Sequence, residues 1–335
     1  MTKPLHEIAE IAVIGAGGAG MMAYLRAILN CNQAVLFQGN AETRRKGRAT
    51  WVAEVDNIPG MHGMKNPITT TARGTLKWIE SQPQLAACGT VINGMVTRIV
   101  PQDSVFCLHY ELKGIEHTLL ARYVVLATGV MDIQPEIGGS ILPILPFANQ
   151  GHVLYCIRCD GHRTLGKQLS VISHQEKGVY IAAMMHERYG HEQIKLFTHG
   201  AEPIFSEEAW RIVKAYGMEV YSEVIHAILG DPKTGLEGFV LADGTSVATT
   251  CALVALGSLV YNRLLADLGA ELESDGRIHT SAKFESSVSG IFAVGDLVAG
   301  TKMQLYTAWE EAVIAIEEID SRLRREKRLA KLKGS

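Results

Sequence analysis

Long apolar runs, charge of one sign and cysteine are all scarce in this chain of 335 residues. No hydrophobic stretch approaches the roughly 20 residues that a bilayer-spanning helix requires, so no membrane role is expected. With 32 Lys and Arg against 35 Asp and Glu, the formal net charge is −3. That balance lacks the cationic excess of a general nucleic-acid binder. Six cysteines, at 31, 88, 107, 156, 159 and 251, are too few and too scattered for a disulfide scaffold. The opening Met1-Thr-Lys-Pro-Leu-His6 lacks the basic flank and apolar core of a secretion signal. Together these absences make a reducing cytoplasm the expected setting. Low-complexity segments and internal repeats are missing too. What remains, 47% hydrophobic and 20% charged residues, is the composition of a soluble globular protein long enough for two domains.

The first positive signal is glycine. Ile11-Ala-Val-Ile14 reads as a buried strand, Gly15-Ala-Gly17-Gly-Ala-Gly20 as a turn, and Met21 to Leu29 as a helix. This is G-x-G-x-x-G with a strand before it and a helix after it, the context a dinucleotide site needs. Gly15 permits the tight turn, Gly17 lets backbone approach a pyrophosphate, and Gly20 lets helix and strand pack closely. A second strand, Ala34 to Phe37, ends at Gln38, where an NAD site would carry an acid. Tyr123 to Ala127 followed by Thr128-Gly129, and Gly290 to Val294 followed by Gly295-Asp296, are apolar strands ending in small-residue turns of the same domain. A carboxylate such as Asp296 can accept hydrogen bonds from a ribityl chain.

The second signal is a dithiol. Tyr155-Cys156-Ile-Arg158-Cys159-Asp160-Gly161 places two thiols at redox spacing. No second C-x-x-C and no spaced His pair completes a zinc set, and His186 and His191 lack helical metal spacing, so no metal is expected. Cys31, Cys88, Cys107 and Cys251 sit in apolar or turn contexts and read as inert. Just beyond the dithiol, Leu169-Ser-Val-Ile-Ser173-His-Gln175-Glu-Lys-Gly178 has the layout of a nucleotide-gripping strand, turn and helix without its first two glycines. Side chains at Ser173 and Gln175 would obstruct a pyrophosphate, and Glu176 adds charge of the wrong sign.

These residues resemble the low-molecular-weight thioredoxin reductases nearly end to end. Glu54-Val-Asp56-Asn-Ile-Pro-Gly60 is similar to that family's E-V-E-N-F-P-G, Ala127-Thr128-Gly129 to its A-T-G turn, and Cys156-x-x-Cys159-Asp160-Gly161 to its C-A-T-C-D-G. Gly295-Asp296 and Gln304-Leu305-Tyr-Thr307-Ala308 are similar to its closing block. The resemblance implies a homodimeric FAD flavoprotein built from two Rossmann-like α/β domains, the second inserted into the first. Residues 1–130 and 257–335 are then the FAD-binding domain and 131–256 the inserted domain carrying the dithiol. Rotation of one domain on the other would present the dithiol alternately to flavin and to protein. The cofactor residues implied are Gly15, Gly17, Gly20, Gln38, Arg48, Thr50, Ala127, Thr128, Gly129, Gly295, Asp296, Gln304, Leu305 and Thr307. By the same resemblance Cys159 faces the flavin, Cys156 attacks a thioredoxin-like disulfide, and Asp160 exchanges protons with the departing thiolate.

Three departures from the family pattern qualify this. Lys46-Gly-Arg48-Ala-Thr50-Trp51 replaces a G-G-Q-L-T stretch; Arg48 suits an anionic flavin and Trp51 suits packing on the ring. The inserted domain lacks both the nucleotide glycines and the H-R-R-x-x-x-R cluster for a 2′-phosphate, with no arginine from Gln193 until Arg211, so NADPH is not expected as donor. Relatives without these motifs are the ferredoxin-dependent flavin thioredoxin reductases and the diflavin-linked disulfide oxidoreductases, which hold a second FAD. Finally, Ser321 to Lys333 carries seven basic residues against one acid, a docking patch for an acidic protein such as ferredoxin. An oxygen-dependent dithiol oxidase and a non-catalytic flavin redox sensor are the competing readings. Asp160 stands where such oxidases carry a histidine after the second cysteine.

Overall fold

The computed structural model of the chain describes residues 8–45, 47–48 and 54–333. Thr50 and Trp51, both expected near a flavin, lie outside the described residues. The chain divides into two compact units. One comprises Met1–Thr50, Ile68–Met131 and Val260–Ser335, the other Trp51–Pro67 and Asp132–Leu259. The grouping of Trp51–Pro67 with the second unit differs from the unbroken 1–130 segment expected from sequence. Its acids, Glu54 and Asp56, pair with Arg163 of the second unit.

In the first unit, strands Gly89–Ile92, Ala34–Phe37, Ile8–Ile14 and Ile115–Leu126 lie side by side in parallel. The hairpin Met95–Gln102 and Val105–Leu112 extends the sheet antiparallel from the early part of Ile115–Leu126. Strand Ile291–Ala293 pairs parallel with the late part of that strand, at Val124 to Leu126. Both faces of the sheet are covered, as a parallel sheet requires. The period-2 alternation of a strand shows this directly. Ile11 and Val13 pack in one apolar cluster with Tyr24, Ala312 and Ile316, whereas Ala12 and Ile14 pack in another with Val124 and Leu126. Helices Gly18–Leu29 and Leu305–Lys333 supply the first of these faces.

The second unit repeats the plan at smaller scale. Strands Glu219–Tyr221, Lys195–Phe197, Leu169–Ile172, Cys251–Val254 and Val153–Leu154 form a five-stranded parallel sheet. Leu169, Val171, Cys251 and Leu253 face one apolar cluster, while Ile172, Ala252 and Val254 face the other. A three-stranded antiparallel sheet, Ile225–Asp231, Gly235–Leu241 and Ser246–Ala248, completes the unit. The expected architecture of two Rossmann-like α/β domains is therefore the one observed. No helix among the described residues is long and apolar enough to cross a membrane.

Candidate active site

In the first unit the glycine turn joins strand Ile8–Ile14 to helix Gly18–Leu29. Gly15 has φ +106°, and a Cβ there would stand 2.3 Å from the Ala127 carbonyl oxygen. Only glycine fits such a position without strain. Gly20 backs onto the same turn: its Cβ would stand 1.9 Å from the Gly15 oxygen. Around Gly17, by contrast, a Cβ would meet nothing within 4 Å. Gly17 is the helix N-cap with no side-chain cap, and the first helical turn carries no acid. Free N–H groups at a positive helix end, open on one side, make a cradle for an anion.

The remaining sequence-predicted residues of this unit gather near that turn or elsewhere in its fold. Ala127 donates its N–H to Ile14 O at 2.8 Å, Thr128 Oγ1 donates to Tyr261 O at 2.6 Å, and Gly129 accepts from Tyr261 N. Gln38 follows strand Ala34–Phe37 and donates its N–H to Ile92 O at 2.9 Å. Arg48 and Asp296, expected separately at the cofactor, are joined by an ion pair of 3.1 Å with both side chains largely buried. Gln304 is buried and donates from Nε2 to the Met303 carbonyl at 3.0 Å. Leu305 begins the long helix and packs against Gly18, where a Cβ would stand 2.0 Å from Leu305 Cδ1. The N-terminal ends of the two long helices thus lie together. Thr307, in the first turn, has its Oγ1 buried with no hydrogen-bond partner among the described residues. A buried hydroxyl without a protein partner is costly unless a water or a ligand atom meets it.

Glu311 was not singled out from sequence. It is buried, and its carboxylate accepts from Gly295 N at 2.7 Å and Thr301 Oγ1 at 2.7 Å, fixing the Gly295-Asp296 turn. Burial raises its proton affinity, and those two hydrogen bonds oppose the rise. Its signal was available: an acid on the apolar face formed by Ala308, Ala312 and Ala315.

In the second unit, strand Val153–Leu154 leads into Cys156, which caps the one-turn helix Ile157–Asp160 and accepts from Cys159 N at 3.2 Å through its sulfur. Cys156 and Cys159 form a disulfide with Cα atoms 5.3 Å apart. Asp160 follows directly, and its carboxyl is pushed up to about 7, first by burial, then by the Asp56 carboxylate, with His162 acting in the opposite direction. A carboxyl group poised near neutrality can both give and take a proton. Of the other cysteines, Cys107 and Cys251 are buried, and burial pushes the Cys251 thiol up to about 11. Among the described residues no His, Cys, Asp and Glu cluster could hold a metal ion.

The second strand–turn–helix is filled rather than open. Ser173 is buried, and its Cβ would lie 2.5 Å from a Cβ at Gly178. Its hydroxyl accepts from Gln175 N at 3.3 Å. The segment near Ile204 lies over the same turn. Ile204 N donates to His174 O at 2.7 Å, and Glu176 N, at the start of helix Glu176–Tyr189, donates to Ile204 O at 3.2 Å. Glu176 also places its carboxylate there, accepting from Ser206 N at 3.4 Å. The next loop offers His199 rather than arginine; His199 Nδ1 accepts from Ile225 N at 3.1 Å, and burial lowers its proton affinity.

An open dinucleotide cradle in one α/β unit and a C-x-x-C disulfide in the other define a disulfide oxidoreductase. The model of the pyridine nucleotide-disulphide oxidoreductase family matches residues 9–312, and the chain belongs to that family. It is 25% identical over 326 residues to the thioredoxin reductase of Ureaplasma parvum serovar 3, covering 92% of this chain and 95% of that one. It is 25% identical over 333 residues to the thioredoxin reductase of Bacillus subtilis, covering 94% of each. The fold matches the crystal structure of thioredoxin reductase from Streptococcus pyogenes with a TM-score of 0.81 at 20% identity, over 95% of this chain and 99% of that one. The chain is an FAD-dependent disulfide oxidoreductase of thioredoxin reductase-like type. The open Gly17 cradle, the converging helix ends and the unpartnered Thr307 hydroxyl fit that cofactor.

Proposed function

We propose that this flavin disulfide oxidoreductase exchanges electrons with the disulfide of a thioredoxin-like protein and draws them from a donor other than NADPH. The observation that carries the second half is the filled turn of the second unit. The N–H that would meet a pyrophosphate is bonded to Ile204 O, and Glu176 sets a carboxylate beside it. The same filling argues against a second FAD gripped by its pyrophosphate there. An acidic electron-transfer protein of the ferredoxin kind suits the chain better. Helix Leu305–Lys333 runs on past Leu323, its last buried residue. Arg122 pairs with Glu326, and Lys327 with Glu10 at 2.7 Å. Those contacts hold one side of the helix to its unit, so at 100° per residue Arg325, Arg328, Leu329 and Leu332 share the outward side. Cations around two exposed leucines complement an acidic partner with an apolar centre.

Within the first unit Gly15, Gly17 and Gly20 are assigned to the pyrophosphate, Ala127 to Gly129 and Gln38 to the adjoining part of the dinucleotide. Asp296, held by Arg48, is assigned to the ribityl side, and Gln304, Leu305 and Thr307 to the ring side. FAD, when bound, supplies the two-electron couple that the dithiol requires. Cys156, as thiolate, attacks a partner sulfur and forms a mixed disulfide; Cys159 then attacks Cys156, closing the intramolecular disulfide and releasing the partner's second thiol. Asp160 holds the proton that Cys159 gives up and returns one to the departing sulfur. A homodimer, carried over from the family resemblance, is checked by sedimentation.

The deciding experiment follows flavin bleaching under anaerobic conditions with NADPH and with reduced ferredoxin in parallel, after the flavin-to-protein ratio is measured. One FAD per chain, fast bleaching by ferredoxin and none by NADPH are expected. Rapid bleaching by NADPH overturns the donor assignment.

A further inference from the structure

The dithiol turn is gripped by a segment far from it in sequence. Asp56 Oδ2 meets His162 Nε2 at 3.1 Å and Arg163 Nε at 3.0 Å, Glu54 pairs with the same Arg163, and Asn57 Nδ2 donates to Arg158 O at 3.4 Å. All these residues belong to the second unit. Arg163 neutralises one side of Asp56, and His162, half exposed, sits on the other between that carboxylate and solvent. Both Asp56 and His162 act on the Asp160 carboxyl electrostatically, with opposite signs. The other ionisable groups near the turn among the described residues are Tyr189, whose ring packs on Gly161, and the buried Cys251 thiol, on which Asp160 and Lys167 both act. None of these supplies both a carboxylate and an imidazole on a single hydrogen-bonded arm.

We propose that Asp56 and His162 are positioning residues for the dithiol, a hydrogen-bonded carboxylate–imidazole couple on the dithiol turn that sets when the carboxyl group of Asp160 can accept the Cys159 proton. The step they govern is balanced within the reaction already described. The Cys156–Cys159 bond forms, the partner's disulfide breaks, and two electrons and two protons pass from the dithiol to the partner's two sulfurs. Asp160 carries one of those protons. His162 in its cationic form favours the Asp160 carboxylate, and Asp56 favours its protonated form. The inference rests on the dithiol being redox-active, as proposed above.

The test uses pre-reduced holoenzyme reacting with a small aromatic disulfide across pH 5 to 9, so that neither thioredoxin nor the physiological donor is needed. The pH limb that Asp160→Asn removes is the readout. His162→Gln should move that limb up and Asp56→Asn should move it down, each by about half a pH unit or more. His162→Lys, which retains a cation, should leave it at or below its wild-type position. A purely structural clasp would weaken the rate without opposite displacements. Shifts of the same sign, or unmoved limbs in both variants, overturn the inference while the wild type still reacts. If the reduced wild type reacts with no disulfide at all, the dithiol reading fails and takes this inference with it.

Discussion

The two strand–turn–helix segments are versions of one device, and they differ in what occupies the space before the helix. At Gly15 to Gly20 that space is open: glycines bring the turn against Ala127 and leave the side of Gly17 clear. At Ser173 to Gly178 the chain itself has moved in, with the Ser173 side chain against Gly178 and the Ile204 carbonyl on the Glu176 N–H. Both keep a parallel sheet and a helix packed upon it. The comparison shows one α/β plan carrying an open turn in one unit and a filled turn in the other. The α/β unit survives when its helix N–H groups find a protein oxygen in place of a phosphate, because what matters for folding is that they find an acceptor.

Closing the open turn should have the largest effect. Gly20→Val would drive a side chain into the Gly15 carbonyl, and a loss of about 3 kcal/mol or more is expected. Protein that still folds should purify without flavin absorbance.

Asp160→Asn probes what the second unit does in place of nucleotide binding. With its carboxyl raised to about 7 in the fold, Asp160 binds its proton more tightly there than in the unfolded chain. Its stabilising contribution is therefore complete below its unfolded value near 4 and is lost as pH rises through about 7. Denaturation of the oxidised protein at pH 5 and pH 8 should show wild type losing about 1–3 kcal/mol more than the variant over that interval. Equal losses would place the carboxyl in an ordinary solvated setting.

Opening the filled turn is a milder change. Ser173→Gly removes the hydroxyl that Gln175 uses and should cost about 1 kcal/mol in urea denaturation. Bleaching by NADPH should remain absent, since Ile204 and Glu176 still cover the helix end. Bleaching in that variant would show that one side chain was the whole barrier.

The smallest effect is expected at Thr307. Its hydroxyl has no partner among the described residues, so Thr307→Val should leave the melting temperature of flavin-free protein unchanged or slightly higher. FAD affinity, by titration, should fall by about fivefold, the worth of one hydrogen bond. Unchanged affinity would remove Thr307 from the cofactor site.

Much of this arrangement was legible in the sequence because it is local. A glycine turn between a strand and a helix, a C-x-x-C followed by Asp-Gly, and the missing glycines at Ser173 and Gln175 are each contained within a few residues. What escaped reading is built from distant pairs. Nothing near Arg48 announces Asp296, 248 positions later. Nothing near Ser173 announces that Ile204 will cross the helix end. The acids of Glu54-Val-Asp56 looked like part of a family segment, and their partner Arg163 lies in another element altogether. Such pairs follow from how the chain packs, which local propensity does not encode.

The order of the strands has a consequence for how the enzyme is made. Strand Ile291–Ala293 and helix Leu305–Lys333 complete the first unit, whereas the second unit ends at Leu259. On a ribosome, domains fold as their residues emerge. The dithiol unit can therefore be finished while the flavin unit still awaits its last strand, its long helix and the Thr307 hydroxyl. Flavin would then be captured after the dithiol unit has folded, by a chain that already carries its redox turn.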